Sequence, residues 1–179
     1  YTLLSAISFL IFGFSELAAR IPNMIFSLLF PVATFLFAKK IFTTKIGLLA
    51  AYLSAINPWL IIWGGQALVD VPMAFMMILA IYFCLEGIDK NKLKYWIFSG
   101  LSVSLASLMK PTGLIALPLL AFTVAYYQGW KFLLKKQFII LALISSLGLI
   151  SYFGFGLVAG FILPKLKNIL SVLQETIFY

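Results

Sequence analysis

The sequence predicts an all-α bundle of transmembrane helices, and three observations predict it. Of the 179 residues, 64% are hydrophobic and 10% are charged, where a soluble domain carries about 25% charged residues. Apolar runs of about 15–23 residues follow one another along the chain, the length that a lipid core demands of a helix. The basic residues fall in short clusters between those runs, not along one helix face. A soluble globular domain is excluded, because a mean hydropathy of +1.12 leaves too few polar side chains to cover a water-facing surface. The net charge of +8 therefore reads as an orientation signal and not as a nucleic-acid footprint.

The elements follow in order. The stretch from Tyr1 to Phe14 is apolar but short, and Gly13, Ser15 and Glu16 end it, which predicts an interfacial or re-entrant helix over residues 1–14. Six spans are expected within residues 15–163. The first runs from about Leu17 to Ala38 and stops at Lys39, Lys40 and Lys45. The second runs from Ile46 to about Gly65, kinked at Asn57-Pro58 because proline removes a backbone donor, and Gly64-Gly65-Gln66 breaks it. Pro72 suits the first turn of the third, with Asp70 or Val71 near its cap, and that run continues to Leu85. Tyr95 to Met109 and Leu114 to Tyr127 flank the break Lys110-Pro111-Thr112-Gly113. Phe138 to Leu163 is the last, with Gly156 and Gly160 as a small-residue packing face. Residues 164–179 form a modestly amphipathic tail expected on the outer membrane surface. The whole reads as a single transmembrane domain, and its opening at Tyr1 inside an apolar run reads as a piece of a longer polypeptide.

The basic clusters orient this arrangement. Alternating the loops puts Lys39, Lys40, Lys45, Lys90, Lys92, Lys94, Lys131, Lys135 and Lys136 on one side, nine of the 13 basic residues. By the positive-inside rule that side is expected to be cytoplasmic. Glu16, Arg20, Asp70 and Lys110 then all face outside, a grouping that follows from the lysine count alone. Tyr95, Trp96, Trp59, Trp63, Tyr126, Tyr127 and Trp130 lie at span ends, as an aromatic belt requires.

The chemistry available is narrow. The chain has no His and a single cysteine, Cys84, which removes the usual general base, any internal disulfide and any Cys-based metal site. No metal site is expected within the chain. Acid or base work falls to Glu16, Asp70, Glu86, Asp89 and Glu175, the five carboxylates. A charge at mid-bilayer costs about 2.5–3.5 kcal/mol and commonly marks function. Asp70 and Lys110 lie at span ends, where they could cap one helix and complement the end of another, could pair with each other, or could organise a site. Glu16 and Arg20 are one helical turn apart and could form a surface pair. Arg20 is also the only arginine, and its planar fork of donors suits either a phosphate headgroup or simple interfacial anchoring. Gln66 and Trp63, beside Asp70, are candidate donor or acceptor contacts. The small-residue breaks at Asn57-Pro58 and Gly64-Gly65 leave a second expectation open, a non-enzymatic transporter or assembly subunit with a site at those breaks.

An ordered set of blocks carries a family resemblance. Phe14 to Pro22, then Ala38-Lys39-Lys40-Ile41-Phe42, then Gly47 to Ala51, Asn57-Pro58, Ala67 to Pro72 and Leu108 to Gly113 resemble the GT-C glycosyltransferases. The branch they look like is that of the protein O-mannosyltransferases and aminoarabinose transferases, over about Tyr1 to Pro118. The resemblance implies a multi-span enzyme of a prokaryotic plasma membrane or the endoplasmic reticulum. It would take a sugar from a polyprenyl-phosphate carrier and transfer it to a protein or lipid acceptor on the outer or luminal face. It also implies that the catalytic carboxylate lies in an outer loop before Tyr1, so the catalytic residue is not among these residues. A divalent metal would then be compatible only with the complete protein. Position by position, Arg20, Asp70 and Lys110 match residues that line the family's outer cavity. With Glu16 and Gln66, they are the substrate-binding or site-organising residues expected here.

Overall fold

The computed structural model describes residues 2–157. Helices stand at each of the apolar runs: α1 (Thr2–Phe12), α2 (Glu16–Ile41), α3 (Thr44–Ala55), α4 (Pro58–Gly64), α5 (Asp70–Lys90), α6 (Leu93–Met109), α7 (Ala116–Gln128) and α8 (Lys136–Leu157). Among the described residues there is no strand. Local chemistry sets the boundaries. Ser15, Thr43 and Asn57 cap α2, α3 and α4, each side-chain oxygen accepting from a backbone N–H of the first turn. Asn91 at φ 48° and Gly129 at φ 81° end α5 and α7 in left-handed conformations that few other residues adopt without strain. Pro22 and Pro31 sit inside α2 without breaking it.

The direction of each helix can be read from end-to-end contacts. Asn23, near the start of α2, touches the link before α5, whereas Lys40, near its end, touches Glu86 and Asp89 near the end of α5. These two helices are therefore parallel. Lys110 at the end of α6 returns to Asp70 at the start of α5, so α6 is antiparallel to α5. A side chain added at Gly100 of α6 would meet Leu141 of α8, and one at Gly148 of α8 would meet Ser104 of α6, so α6 and α8 run parallel. At one end of the bundle, Lys40 binds Glu86 Oε1 at 2.8 Å and Asp89 Oδ2 at 2.7 Å, and Lys90 closes on Glu86.

The core lies among α5, α6, α7 and α8. It contains Ala80, Cys84, Trp96, Val103, Leu120, Val124 and Leu141, all fully buried. Outward faces carry exposed apolar residues such as Leu28, Leu48, Ile61, Phe122 and Leu143, the pattern of helices solvated by lipid.

The helices differ in length. Among the described residues three helices are long and apolar enough to cross a membrane, and a fourth crossing results if α3 and α4, bent by 55° at their break, count as one. At 17 and 13 residues, α6 and α7 fall below the roughly 20 residues of a full span. 3₁₀ turns at Pro111–Ile115 and Trp130–Leu134 flank α7. Among the described residues nothing stands within 4 Å of a side chain added at Gly156, the first glycine of the expected small-residue face. Gly160 and the tail over 164–179 lie outside the described residues.

Candidate functional site

Asp70, Lys110, Glu16, Arg20 and Gln66 all lie at the end of the bundle opposite Lys40 and Glu86. Two separate arrangements contain them. In the first, Lys110 Nζ donates to Asp70 Oδ1 at 2.7 Å, and both side chains are partly exposed. The local fold explains why Lys110 reaches back. Its own N–H closes α6 on Ala106, and its carbonyl accepts from Gly113 in the tight turn that follows. Gly113 packs so closely on α6 that a Cβ there would come 2.5 Å from the Ala106 carbonyl carbon. The adjacent Thr112 hydroxyl donates to Met73 Sδ at 3.4 Å, tying the same turn to the first turns of α5.

Asp70 does not cap α5. The capping position is Val69, with no side-chain hydrogen bond, and Asp70 is the first helical residue. Its carboxylate adds negative charge to the helix N-terminus, where the dipole favours it, while its oxygen is directed to lysine. Mutual pairing, one of the roles the sequence allowed these two residues, is present in the geometry. Asp70 also lines an open, aromatic-rimmed cavity of about 280 Å³ with Phe30, Asn57, Trp59, Trp63 and Val71.

In the second arrangement, Arg20 Nη2 donates to Glu16 across one turn of α2. Both line a more polar open cavity of about 560 Å³, closed on its far side by Gly65, Gln66, Ala67 and Leu68. Arg20, Glu16 and Gln66 therefore come together, and Asp70 and Lys110 form a neighbouring station on the other side of α4 and its link to α5. Among the described residues no three His, Cys, Asp or Glu side chains converge as metal ligands would.

One residue that joins the two stations was not singled out from the sequence. Asn23 is fully buried one turn beyond Arg20, and its Nδ2 donates to the carbonyls of Trp63 at 2.6 Å and Gln66 at 2.5 Å. The available signal was an amide inside an apolar run, where an uncompensated polar group is costly.

The family model described as dolichyl-phosphate-mannose-protein mannosyltransferase matches residues 1–154. No curated protein and no solved structure matches the chain.

Proposed function

Because the chain belongs to the dolichyl-phosphate-mannose-protein mannosyltransferase family, a group of GT-C membrane glycosyltransferases, we propose that it forms the carrier-binding part of one. The donor in this reading is a sugar on a polyprenyl phosphate, and the acceptor is a protein or lipid on the outer or luminal face. The observation that carries it is the cavity in which Arg20, Glu16 and Gln66 converge at the bundle end away from the Lys40 cluster.

The chemistry follows from those groups. Breaking the bond between sugar and phosphate leaves negative charge on the phosphate, so the site needs donors held where that charge develops. A guanidinium has five donors, and Arg20 meets Glu16 through Nη2, which leaves others for phosphate oxygens. Glu16 keeps the fork in place, and Gln66 offers an amide from the opposite wall. In this reading the positive charge comes from Arg20 and not from a metal held by this chain. Lys110, neutralised by Asp70, orders the adjoining station. Activation of the acceptor calls for a carboxylate base.

The breaks at Asn57-Pro58 and Gly64-Gly65, which would have served a transporter, flank these two cavities. The family membership favours the transferase.

The test uses the complete protein in vesicles with polyprenyl-phosphate-linked labelled mannose and an acceptor peptide. Transfer by the wild type, and a loss of at least about tenfold in kcat/KM for Arg20→Ala, are expected for a lost charge-assisted contact. Absence of transfer in the wild type overturns the reading, and normal kinetics in Arg20→Ala removes Arg20 from it.

A further inference from the structure

We propose that Asn23 is a positioning residue, an amide clip by which α2 holds the link between α4 and α5 and so sets the width of the cavity between Arg20 and Gln66. The inference rests on the proposed carrier site for its functional consequence, and on geometry alone for the clip itself.

Four observations meet at this residue. Asn23 is fully buried. Both hydrogens of its amide are spent on carbonyls at the end of α4 and in the link, that of Trp63, which also accepts from the Gln66 N–H at 3.3 Å, and that of Gln66. The orientation of the amide is dictated, because turning it over would set its oxygen against two carbonyl oxygens. Oδ1 is buried with no hydrogen-bond partner, so the side chain is held by its donor half. One turn further along α2, Ser27 packs on Gly64 so tightly that a Cβ there would come 2.7 Å from the serine Cβ. Two successive turns of α2 thus grip the end of α4.

Within the link, the Gly65 and Gln66 N–H groups bond back to the Ile61 and Trp63 carbonyls. α4 has only seven residues, too few to be a stable helix by itself, and α5 begins at Asp70 without a side-chain cap. The residues between them supply Gln66 and Leu68 to the carrier cavity, and Asp70, which opens α5, lines the neighbouring one. Arg20 lies on α2 itself, three residues before Asn23. The clip therefore fixes the distance between the two walls from which a phosphate would be bound, at a point that no substrate atom need touch.

The test places a reporter on the link. Leu68→Cys is introduced into the complete protein in phosphatidylcholine vesicles, and its reaction with a water-soluble maleimide is timed. Buried Cys84 supplies the background, measured without Leu68→Cys. Asn23→Asp keeps the shape but exchanges the donor for an acceptor, whereas Asn23→Ser loses volume and keeps one donor. Two hydrogen bonds lost predict labelling faster by about tenfold or more in Asn23→Asp, with Asn23→Ser between it and the parent. The same Asn23 variants without the reporter should show a raised KM for polyprenyl-phosphate mannose. If Asn23 merely fills space, Asn23→Asp labels like the parent and Asn23→Ser is the faster, which overturns the clip. Should Asn23→Asp fail to accumulate, parental labelling in Asn23→Ser overturns it equally. Faster labelling with unchanged KM and kcat overturns the link to transfer. A wild type that transfers nothing refutes the proposed function, and the labelling rates still decide the clip.

Discussion

Lys110 Nζ and Asp70 Oδ1 lie 2.7 Å apart although forty residues separate them in the chain. The contact joins the end of α6 to the start of α5, where Asp70 lines one of the two cavities. Because both side chains are partly exposed, the pair contributes at most about 1 kcal/mol to stability. A double-mutant cycle with Asp70→Asn and Lys110→Met should return a coupling of that size in detergent melts. The exchanged pair, Asp70→Lys with Lys110→Asp, should recover part of the stability lost by either exchange alone. A coupling of zero would show that the contact is incidental.

The seam between α6 and α8 depends on absent side chains. A Cβ at Gly148 would come 2.8 Å from the Ser104 carbonyl carbon, and one at Gly100 would come 2.9 Å from the Leu141 carbonyl oxygen. Gly148→Val should therefore cost about 1–3 kcal/mol, the usual toll of overpacking, read as a lowered melting temperature. Gly154→Ala, where nothing stands within 4 Å, is the control and should melt like the wild type or slightly above it.

Gly87 faces the ring of Trp96, and a Cβ there would lie 3.0 Å from the indole. Trp96 is fully buried and stacks on Phe132 with ring centroids 5.4 Å apart. Gly87→Leu should displace the indole and lower stability by about 1–3 kcal/mol. Quenched or shifted fluorescence alone would be ambiguous with four tryptophans present, so the comparison is made in a Trp96→Phe background. There the penalty should shrink.

At the far end, Lys40 bridges Glu86 and Asp89. Glu86 is buried, so Lys40→Met leaves a carboxylate with Lys90 alone, at a cost of about 1.5–3 kcal/mol for a lost charge-assisted hydrogen bond. α5 is 21 residues long, about 31 Å from end to end. The KM for polyprenyl-phosphate mannose should accordingly not change. A changed KM with normal stability would contradict the assignment of carrier chemistry to the opposite end.

Much of this architecture was legible in the chain because helices in lipid must satisfy their backbone internally and must be long and apolar. The break at Asn57-Pro58 and the turn at Lys110-Pro111-Thr112-Gly113 were readable from proline and glycine chemistry. The 3₁₀ turns on either side of α7 were not, since an apolar run does not distinguish them from an α-helix. The five candidate residues were readable as rare polar groups in an apolar chain, and the pairs Asp70 with Lys110 and Glu16 with Arg20 were among the arrangements it allowed, but the placing of Gln66 with Arg20 was not readable. Asn23 escaped notice because one amide in a long hydrophobic run has the same sequence signature whether it clips a loop or faces a lipid headgroup.

The sequence by itself determined the class of the molecule, the positions of its helices, the side on which its lysines gather and the family to which its motifs point. Those properties depend on composition and local spacing, which act over one or two helical turns. Only the tertiary structure decided that Lys110 answers Asp70, that Arg20 shares a cavity with Gln66, and that Asn23 binds Trp63 and Gln66 through their carbonyls. These are contacts between helices. Their geometry depends on how closely glycines and serines let two backbones approach, which the order of residues along one helix does not specify.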